Sequence, residues 1–600
     1  MRKLFTPRLD HGAIGNGRLI ALVAPTSAIE WLCLPRFHSP SVFGSLLDTE
    51  KGGTFQLLPR DGEARGTLSY VANTNVLITR FEQGDAAWEV VDFAPWLPDG
   101  LDHIAPSELV RIVRPVRGTP ILRVNFDPRP DYARAPVTIT AAEVAIQVSG
   151  GDLLLELHTN VPLPYVLEKR EFALTQPMFF VLHCGRRSTS PTMASAQYDL
   201  DRTIAAWRAW AKTCALPSFA PVEVLRSALC IRLHASHATG AIIAAATTSI
   251  PEAMGTERTW DYRYCWLRDA AFVVEALRRV GHLDEGERFI RFLRDVSESG
   301  PLQPLYAVDG ERDLPESFLP HLAGFGNNGY VRVGNAAALQ IQNDLTGELV
   351  LCLDTLLCDP RIVHESEQVY FPLVKRLVEQ AIESAPKDDM GIWEFRTMLR
   401  PYTFSRAMCW AAISRGAKLA RRLGHEAEAL SWNAIADSER DVVLHRGFNA
   451  ELGYFTQTLD GIHPDASNLL LATIGIVDAH DPRFVSTVEA YERLLVDRGV
   501  MLRYKSLDDF GETTSAFTVC SFWWAEALAL VGRLDDAIKL FHRLIAYANE
   551  VGLFSEDIEP TTGELLGNFP QAYTHVGLIH AATTIGELID ARDGRVRAWV

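Results

Sequence analysis

The sequence lacks any run of about eighteen uncharged apolar residues, and its first residues, Met1–Arg8, are basic without an apolar segment behind them. A membrane-spanning helix and a secretory signal are therefore not predicted. It also lacks a C-x-x-C pair, and its 9 cysteines are scattered and odd in number. This pattern is typical of free thiols in a reducing compartment, so we expect a cytoplasmic protein.

An excess of positive charge is absent as well. The formal net charge of −17 and the pI near 5.5 argue against binding to nucleic acid or to anionic membranes, and they favour a small neutral substrate. His234 and His237 lie close together in an apolar helical segment, which is more typical of core or surface histidines than of metal ligands. No metal or other cofactor is predicted.

The chain of 600 residues is 48% apolar and 22% charged, which is typical of a globular protein with more than one domain. Its first third contains short apolar runs separated by turn residues, without a long helical period. Strands are predicted at residues 19–24, 29–34, 76–81, 88–93, 109–113, 137–140, 153–157 and 179–182. We therefore predict an antiparallel β-sandwich over residues 1–195.

The hydrophobic period changes near Tyr198, where Ile204, Trp207 and Trp210 recur among charged residues. This change predicts a linker helix within residues 196–218. The remaining region, residues 219–600, is predicted to be almost entirely helical. Its helices are expected near residues 221–238, 268–280, 284–298, 331–358, 369–385, 403–424, 426–446, 466–476, 484–497, 513–532, 534–550 and 570–590.

Three junctions between these helices share one pattern, a glycine followed by a short polar entry into the next helix. They are Val280–Asp284, Leu423–Ala427 and Val531–Asp535. This is the chemistry of a tight αα-hairpin. Twelve helices in hairpins predict a closed double ring, an (α/α)6 barrel, with an open α-solenoid as the alternative.

The first candidate catalytic group is Glu394, in the stretch Gly391–Arg396. It lies between Trp393 and Phe395, and an apolar wall keeps a carboxyl protonated near neutrality, as a general acid requires. Arg396 follows as a candidate binding group. A Trp-Glu pair is also typical of a helix start with a solvated glutamate, so a second carboxylate and a sugar-shaped pocket are needed to support this interpretation.

A second stretch, Arg258–Asp269, has the chemistry of sugar binding. Trp260 and Trp266 supply aromatic faces on which a pyranose ring lies well. Arg268 and Asp269 present donors and acceptors to vicinal hydroxyl groups. Core aromatics beside a surface ion pair are the alternative interpretation.

Two later loops add further polar groups. Residues 500–504 include Arg503 and Tyr504, and Glu556 precedes a turn rich in threonine, glycine and proline. A glutamate in such a loop is free to point into a pocket. Glu394 as general acid and Glu556 as general base would provide the two carboxylates that glycoside hydrolysis needs.

Several of these motifs resemble glycoside hydrolase family 15, which includes glucoamylases, bacterial trehalases and related α-glucosidases. They are Trp266–Asp269, Gly391–Glu394, Ser555–Glu556 and Gly567–Ala572. At the amino end, the family's opening hairpin is similar to Ile14–Gly17, Trp31–Phe37 and Ser39–Gly44. The resemblance therefore spans nearly the whole chain.

The resemblance implies a β-sandwich followed by an (α/α)6 barrel, and an inverting reaction that needs no metal. It assigns Glu394 as general acid and Glu556 as general base, with Arg268 and Asp269 holding the glucose at the scissile end. The other predicted substrate-binding residues are Trp266, Trp393, Arg396, Arg503, Tyr504, Trp260 and Arg36. Inversion requires room for a water, so the two carboxyls are expected about 6.5–9.5 Å apart.

Three places depart from the family pattern. His38 stands where an aspartate is usual, Tyr330 in the Gly326–Asn335 loop stands where a proline is common, and Thr397–Pro401 replaces a glycine-rich turn. They bear on the leaving-group subsite, and His38 is expected either to contact the substrate or to cap a loop.

Trehalose is the favoured substrate, because the overall frame resembles the bacterial trehalase type of the family. Isomaltose, dextrin or another small α-glucoside is the alternative within the same family. A non-catalytic helical scaffold is the alternative of a different class. A homodimer is a further hypothesis.

Overall fold

The structure of the protein is a computed structural model that describes residues 4, 6–62, 64–100, 102–362 and 365–595, and of residues 365–368 the backbone. The ends of the predicted domains, residues 1–3 and 596–600, lie outside this range. All eight strands predicted for the first third of the chain are confirmed.

The strands of this region form two antiparallel sheets. The first contains Gly12–Gly15, Ile20–Val23, Ile29–Cys33, Ser41–Phe43, Thr54–Pro59, Ile121–Asp127 and Phe172–Ala173. The second contains Thr67–Tyr70, Leu77–Gln83, Ala86–Phe93, Glu108–Arg117, Thr138–Ala141, Ile146–Gly150, Leu153–Thr159 and Met178–Cys184. Leu97–Asp99 and Asp102–Ile104 form a separate two-stranded ribbon.

The two sheets pack against each other over an apolar core. The rings of Phe55 and Phe180, one from each sheet, lie 5.7 Å apart edge to face. Arg111 of the second sheet is fully buried, pairs with Asp92 at 2.7 Å, and donates to the Phe55 carbonyl at 2.7 Å. These bonds satisfy a buried charge and fix one sheet against the other.

The helices occupy most of the remaining chain. They are α1 Leu163–Leu167, α2 Met193–Lys212, α3 Pro221–His234, α4 Leu267–Arg279, α5 Asp284–Glu298, α6 Leu345–Leu357, α7 Glu365–Ser384, α8 Thr403–Arg422, α9 Glu426–Val442, α10 Leu471–Ile474, α11 Pro482–Leu494, α12 Thr518–Leu530, α13 Leu534–Ile545 and α14 Ala572–Arg592. α2 is the predicted linker helix. Among the described residues, no helix is both long and apolar enough to cross a bilayer.

The predicted αα-hairpins are confirmed at all three junctions. Gly281, Gly424 and Gly532 follow α4, α8 and α12 with φ angles of 96°, 82° and 87°. Glycine is favoured in this left-handed conformation because it has no Cβ, and the turn lets the next helix fold back.

Two helix predictions were wrong in extent. The segment 331–358 is helical only in α6, because Gly334 (φ 73°) and the Asn335 cap start a short 3-10 turn instead. The segment 466–476 is a 3-10 turn, Ala466–Leu470, followed by the four-residue α10, which ends at Gly475 (φ 86°). Both segments lie close to the pocket described below.

The helices pack in a regular order. α4 contacts α6, α6 contacts α8, α8 contacts the 466–470 turn and α10, that turn contacts α12, α12 contacts α14, and α14 contacts α4. α5, α7, α9 and α13 pack on the helices that precede them in the chain, and α3 packs on α14. The loops before α4, α6, α8, α12 and α14 therefore end on the same side of the assembly.

We predict that Gly347→Ala destabilises the protein. A Cβ at this position of α6 would overlap the backbone carbonyl of Met408 in α8, and a backbone neighbour gives way less easily than a side chain. The expected loss is roughly 1–3 kcal/mol of the free energy of unfolding, typical of overpacking, measured by urea titration. The matched control is Gly286→Ala in α5, where the new methyl would meet only side-chain atoms, of Leu356 at 2.9 Å and of Val274 at 3.0 Å. Equal stability of the two variants would contradict the predicted close approach of α6 and α8.

Candidate active site

A pocket of about 860 Å³ opens where the loops before α4, α6, α8, α12 and α14 meet. It collects nine of the eleven predicted site residues: Trp260, Trp266, Arg268, Asp269, Trp393, Glu394, Arg396, Arg503 and Tyr504. Further lining residues include Glu252, Tyr262, Gln340, Asp508, Asp509, Phe510, Phe517, Gln571 and Tyr573. The loops that precede these helices therefore line the pocket.

One wall of the pocket is the segment that leads into α4. Its carbonyls at Trp260 and Tyr262 accept backbone hydrogen bonds from Ser249 and Ala245, so the chain runs extended along a neighbouring strand-like segment. Side chains of an extended chain alternate between two sides. Trp260, Tyr262 and Trp266 consequently line the pocket, while the residues between them face the rest of the protein.

Glu394 lies in a tight turn at the pocket wall. Its φ angle is 60° and that of Gly391 is 65°, and its carboxyl accepts hydrogen bonds from Trp266 Nε1 at 2.6 Å, Arg268 Nη2 at 3.0 Å and Gln342 Nε2 at 3.2 Å. The expected apolar wall from its two aromatic neighbours was wrong. The left-handed turn directs Trp393 toward Asp465 at 2.9 Å and Phe395 onto Tyr402.

The floor of the pocket is built around the Arg268 guanidinium. It lies 3.4 Å from Asp269, 3.4 Å from Asp344 and 3.0 Å from Glu394. Burial raises the pKa of Asp269 to about 6, opposed by the positive charge of Arg268. One cation thus faces three carboxyls, and the floor offers both donors and acceptors to a bound polyol.

Glu556 immediately precedes the strand Asp557–Ile558 and is fully buried. Its carboxyl accepts hydrogen bonds from the Tyr262 hydroxyl at 2.8 Å and from the backbone amide of Asn568 at 3.2 Å. Glu556 itself is not among the residues that line the pocket, whereas Tyr262, which donates to it, is. The Tyr262 ring lies 5.1 Å, edge to face, from the ring of Trp266, which is bonded to Glu394.

Sequence reasoning missed Glu252, which lies beside Glu556. Its oxygens accept hydrogen bonds from Trp260 Nε1 at 2.7 Å and from the Arg503 guanidinium. Carboxyl oxygens of Glu252, Glu556 and Asp557 lie within 4.8 Å of one another. Burial, with Glu252 and Asp557 as further causes, raises the pKa of Glu556 well above its usual value. No local pattern around Glu252 marks it, since it follows an apolar run.

The rim of the pocket is held by ion pairs. Arg396 makes two bonds to Glu316, at 3.0 Å and 2.7 Å, and its guanidinium lies 4.8 Å above the Trp260 ring. Asp509 accepts from the backbone amide of Arg396 at 2.6 Å, and Tyr504 donates to Asp508 at 2.7 Å. These bonds draw the loop before α12 over the loop before α8.

Arg36, a predicted substrate-binding residue, does not line the pocket. Its side chain is 56% exposed and pairs with Asp309 at the surface.

His38 is packed against the Tyr264 ring, 5.7 Å away, and burial lowers its pKa to about 4. Tyr330 is exposed, and its carbonyl accepts from the Thr259 hydroxyl at 2.7 Å. Neither His38 nor Tyr330 lines the pocket.

Comparisons with known proteins agree with this architecture. The family profile "Glycosyl hydrolases family 15" matches residues 223–583, and the profile "Trehalase-like, N-terminal" matches residues 6–162. A trehalase of Mycolicibacterium smegmatis is 35% identical over 622 residues, which cover 98% of this chain and 92% of that protein. A trehalase of Thermoplasma volcanium is 31% identical over 601 residues, covering 98% and 95%.

Among solved structures, a bacterial glucoamylase complexed with acarbose matches with a TM-score of 0.70 at 14% identity, covering 98% of this chain and 97% of that one. This match shows a glucoamylase-like fold, with an antiparallel sheet domain followed by a helical region. The family profile and the trehalase relatives show that the protein is a glycoside hydrolase, and the scaffold alternative is not supported. The chain belongs to glycosyl hydrolase family 15.

The loop that carries Glu394 is closed at its base by Asp389 and Arg400. Their backbones exchange hydrogen bonds of 3.1 Å and 3.0 Å. The Asp389 carboxyl accepts from the Asn343 amide and the Ser405 hydroxyl, both at 2.8 Å. Burial raises the pKa of Asp389 to about 7, with Asp344 as a further cause.

This raised pKa predicts a pH dependence of stability. The neutral form of Asp389 is favoured in the folded state, so its contribution is complete below pH 4 and is lost as the pH rises through about 7. Asp389→Asn removes that loss. As the pH is raised from 5 to 8, the unfolding free energy of the variant relative to that of wild type should rise by on the order of 2–3 kcal/mol. The control is Asp388→Asn at the exposed neighbour. If the difference in unfolding free energy between Asp389→Asn and wild type were the same at pH 5 and at pH 8, the prediction would be contradicted.

Proposed function

We propose that this enzyme hydrolyses a small α-glucoside, with trehalose favoured, by a single displacement that inverts the anomeric carbon. Glu394 donates its proton to the glycosidic oxygen as the bond breaks, and Glu556 removes a proton from the attacking water. Support comes from a chain of contacts at the pocket wall: Tyr262 donates to Glu556 at 2.8 Å, Trp266 donates to Glu394 at 2.6 Å, and the two rings lie 5.1 Å apart. That relation between two carboxyls carries the proposal.

Binding of the reacting glucose is assigned to the floor and walls of the pocket. Arg268 and Asp269 would bond to its hydroxyl groups, and Trp266 and Trp393 would cover its ring faces. Arg503 and Tyr504 are assigned to further sugar contacts in the same pocket, with Trp260 and Arg396 at the rim. Their common position in one pocket supports these assignments.

The general base must be ionised, although burial disfavours the charge on Glu556. Two donors, the Tyr262 hydroxyl and the Asn568 amide, favour its ionised form. Burial also raises the pKa of Asp557, to about 7, so the proton of the carboxyl cluster is shared between Glu556 and Asp557. Because the carboxyls of the cluster interact, its titration belongs to the group and not to one residue.

Trehalose is favoured for two reasons. The relatives that align over almost the whole chain are trehalases. From the rim ion pair of Arg396 with Glu316 and the bond of Asp509 to the Arg396 amide, we infer a narrow entrance, which suits a disaccharide better than a polymer. Isomaltose or a short dextrin is the second candidate.

The finer architecture is also proposed. The cyclic order of contacts from α4 through α6, α8, the 466–470 turn, α12 and α14 back to α4 supports an (α/α)6 barrel. The three tight hairpins favour it over an open solenoid. Domain limits at 195/196 and 218/219, a cytoplasmic location and a homodimer stay predictions.

The substrate and the stereochemistry are tested together by proton NMR of fresh reactions. Trehalose contains two α-linked glucoses, so inversion releases one β-glucose and one α-glucose per cleavage before mutarotation. We expect this equal ratio, and faster cleavage of trehalose than of isomaltose, maltose or nigerose. Two α-glucoses would contradict inversion, and preferred cleavage of isomaltose would replace trehalose as the substrate.

The catalytic roles are tested with α-glucosyl fluoride, whose leaving group needs no proton. Glu394→Gln should lose about 10²–10⁴-fold in kcat on trehalose yet keep most of its activity on the fluoride. Glu556→Gln should lose activity on both substrates, with azide restoring turnover as β-glucosyl azide.

A Gln340→Glu variant would not be a neutral control, because the Gln340 side chain donates a hydrogen bond to the backbone carbonyl of Glu394 at 3.0 Å. Glu564→Gln on the exposed turn beyond Glu556 is the matched control and should retain full activity. A Glu394→Gln enzyme that is inactive on the fluoride, paired with an active Glu556→Gln enzyme, would reverse the two roles.

A further inference from the structure

The N-terminal sheet domain reaches the active-site wall through one unusual turn, Asp131–Ala133. Its three residues have φ angles of 56°, 53° and 61°. Residues with a Cβ rarely adopt this left-handed region, and a run of them persists only where surrounding contacts hold it, which is common near functional sites. Tyr132, at the centre of the turn, is 5% exposed.

Tyr132 is held at both ends by the helical region. Its carbonyl accepts a hydrogen bond from His321 Nε2 at 2.8 Å, and its hydroxyl accepts one from Arg263 Nη2 at 2.6 Å. The Arg263 guanidinium also lies 5.5 Å from the centre of the Tyr132 ring. The strained turn therefore presents a phenol to one particular guanidinium.

Arg263 is itself fully buried, and the first domain supplies most of its remaining surroundings. It donates to the Ser39 carbonyl at 2.8 Å and lies 5.8 Å from the Trp31 ring. Its other partner is Asp261, in a two-bond pair at 2.6 Å and 2.8 Å. Asp261 in turn accepts from the Gly334 amide at 3.2 Å, in the loop before α6.

Asp261 and Arg263 alternate along the chain with residues that line the pocket. Tyr262 lies between them, and its hydroxyl donates to Glu556 at 2.8 Å. Neighbouring side chains of an extended segment point to opposite sides. The contacts that hold Asp261 and Arg263 on one side therefore fix the position of Tyr262 on the other. Trp260 belongs to the same pocket-lining set.

We propose that Tyr132 is a positioning residue for catalysis: the sheet domain, through the Tyr132–Arg263–Asp261 chain, fixes the extended wall that carries Tyr262 against Glu556. Tyr132 touches neither substrate nor reacting atoms. The inference rests on the proposed function, and it gives the sheet domain a role in the chemistry of a pocket that its own residues do not line.

The test is Tyr132→Phe, which keeps the ring and removes the hydroxyl. We expect kcat on trehalose to fall about tenfold with KM changed less than twofold, since small misplacements near the reacting groups are costly. A looser Tyr262 bond raises the pKa of Glu556, because that bond favours the ionised form. The acidic limb of the pH profile should therefore move to higher pH.

A double-mutant cycle separates positioning from general weakening of the fold. If Tyr132 acts through Tyr262, the Tyr132→Phe change should have less than a twofold effect in a Tyr262→Phe background. The control is Tyr70→Phe, which removes the hydroxyl of a half-buried tyrosine of the sheet domain, bonded to Ala13. This control should keep wild-type kcat.

Two results would overturn the inference. One is a Tyr132→Phe enzyme with wild-type kcat and pH profile, and the other is full additivity of the two changes. An inactive wild type on every α-glucoside would instead refute the proposed function. An active wild type with an unaffected Tyr132→Phe variant would refute the positioning role alone.

Discussion

The pocket depends on one buried positive charge, the guanidinium of Arg268. It lies within 3.4 Å of Asp269, Asp344 and Glu394, and these come from the start of α4, the start of α6 and the turn before α8. Three carboxyls so close together repel one another, and in a desolvated site only a shared cation keeps them in place. The attraction of these carboxyls to the Arg268 guanidinium thus holds three separate segments of the chain together.

The same charge explains how a polar site persists amid apolar helices. α12 is almost entirely apolar and buried, and α14 is buried along most of its length. The polar groups are confined to the helix starts, where backbone amides are free to bond to carboxylates and the helix dipole favours negative charge. The apolar residues that form the core and the polar residues that line the pocket therefore lie on different parts of each helix. Changes in the loops are expected to leave the core intact.

The sequence predicts well whatever depends on neighbouring residues. The glycines at 281, 424 and 532 mark helix hairpins because a left-handed turn requires them. The strands of the first domain follow from their alternation, and the concentration of aromatic and charged residues before helices indicates the pocket. Long motifs such as Trp266–Asp269 bring together residues that remain close in the fold.

What the sequence could not predict depends on distant contacts. Glu394 loses its apolar surroundings because a φ of 60° turns its neighbours away, and Glu556 is covered by Tyr262, 294 residues distant. Glu252 gains its place in the site from its contacts with Trp260 and with the distant Arg503. Arg36 belongs to a resembling motif, yet its partner at the surface is Asp309.

The different surroundings of the two glutamates give the substrate a part in setting their roles. Glu394 has a side chain that is 20% exposed and bonds to a guanidinium, whereas Glu556 is closed from solvent before any sugar arrives. A sugar that fills the pocket displaces water from around Glu394, while it leaves the buried donors of Glu556 in place. In the proposed mechanism, the surroundings of the acid are therefore completed by substrate binding, and those of the base are built in advance by the fold.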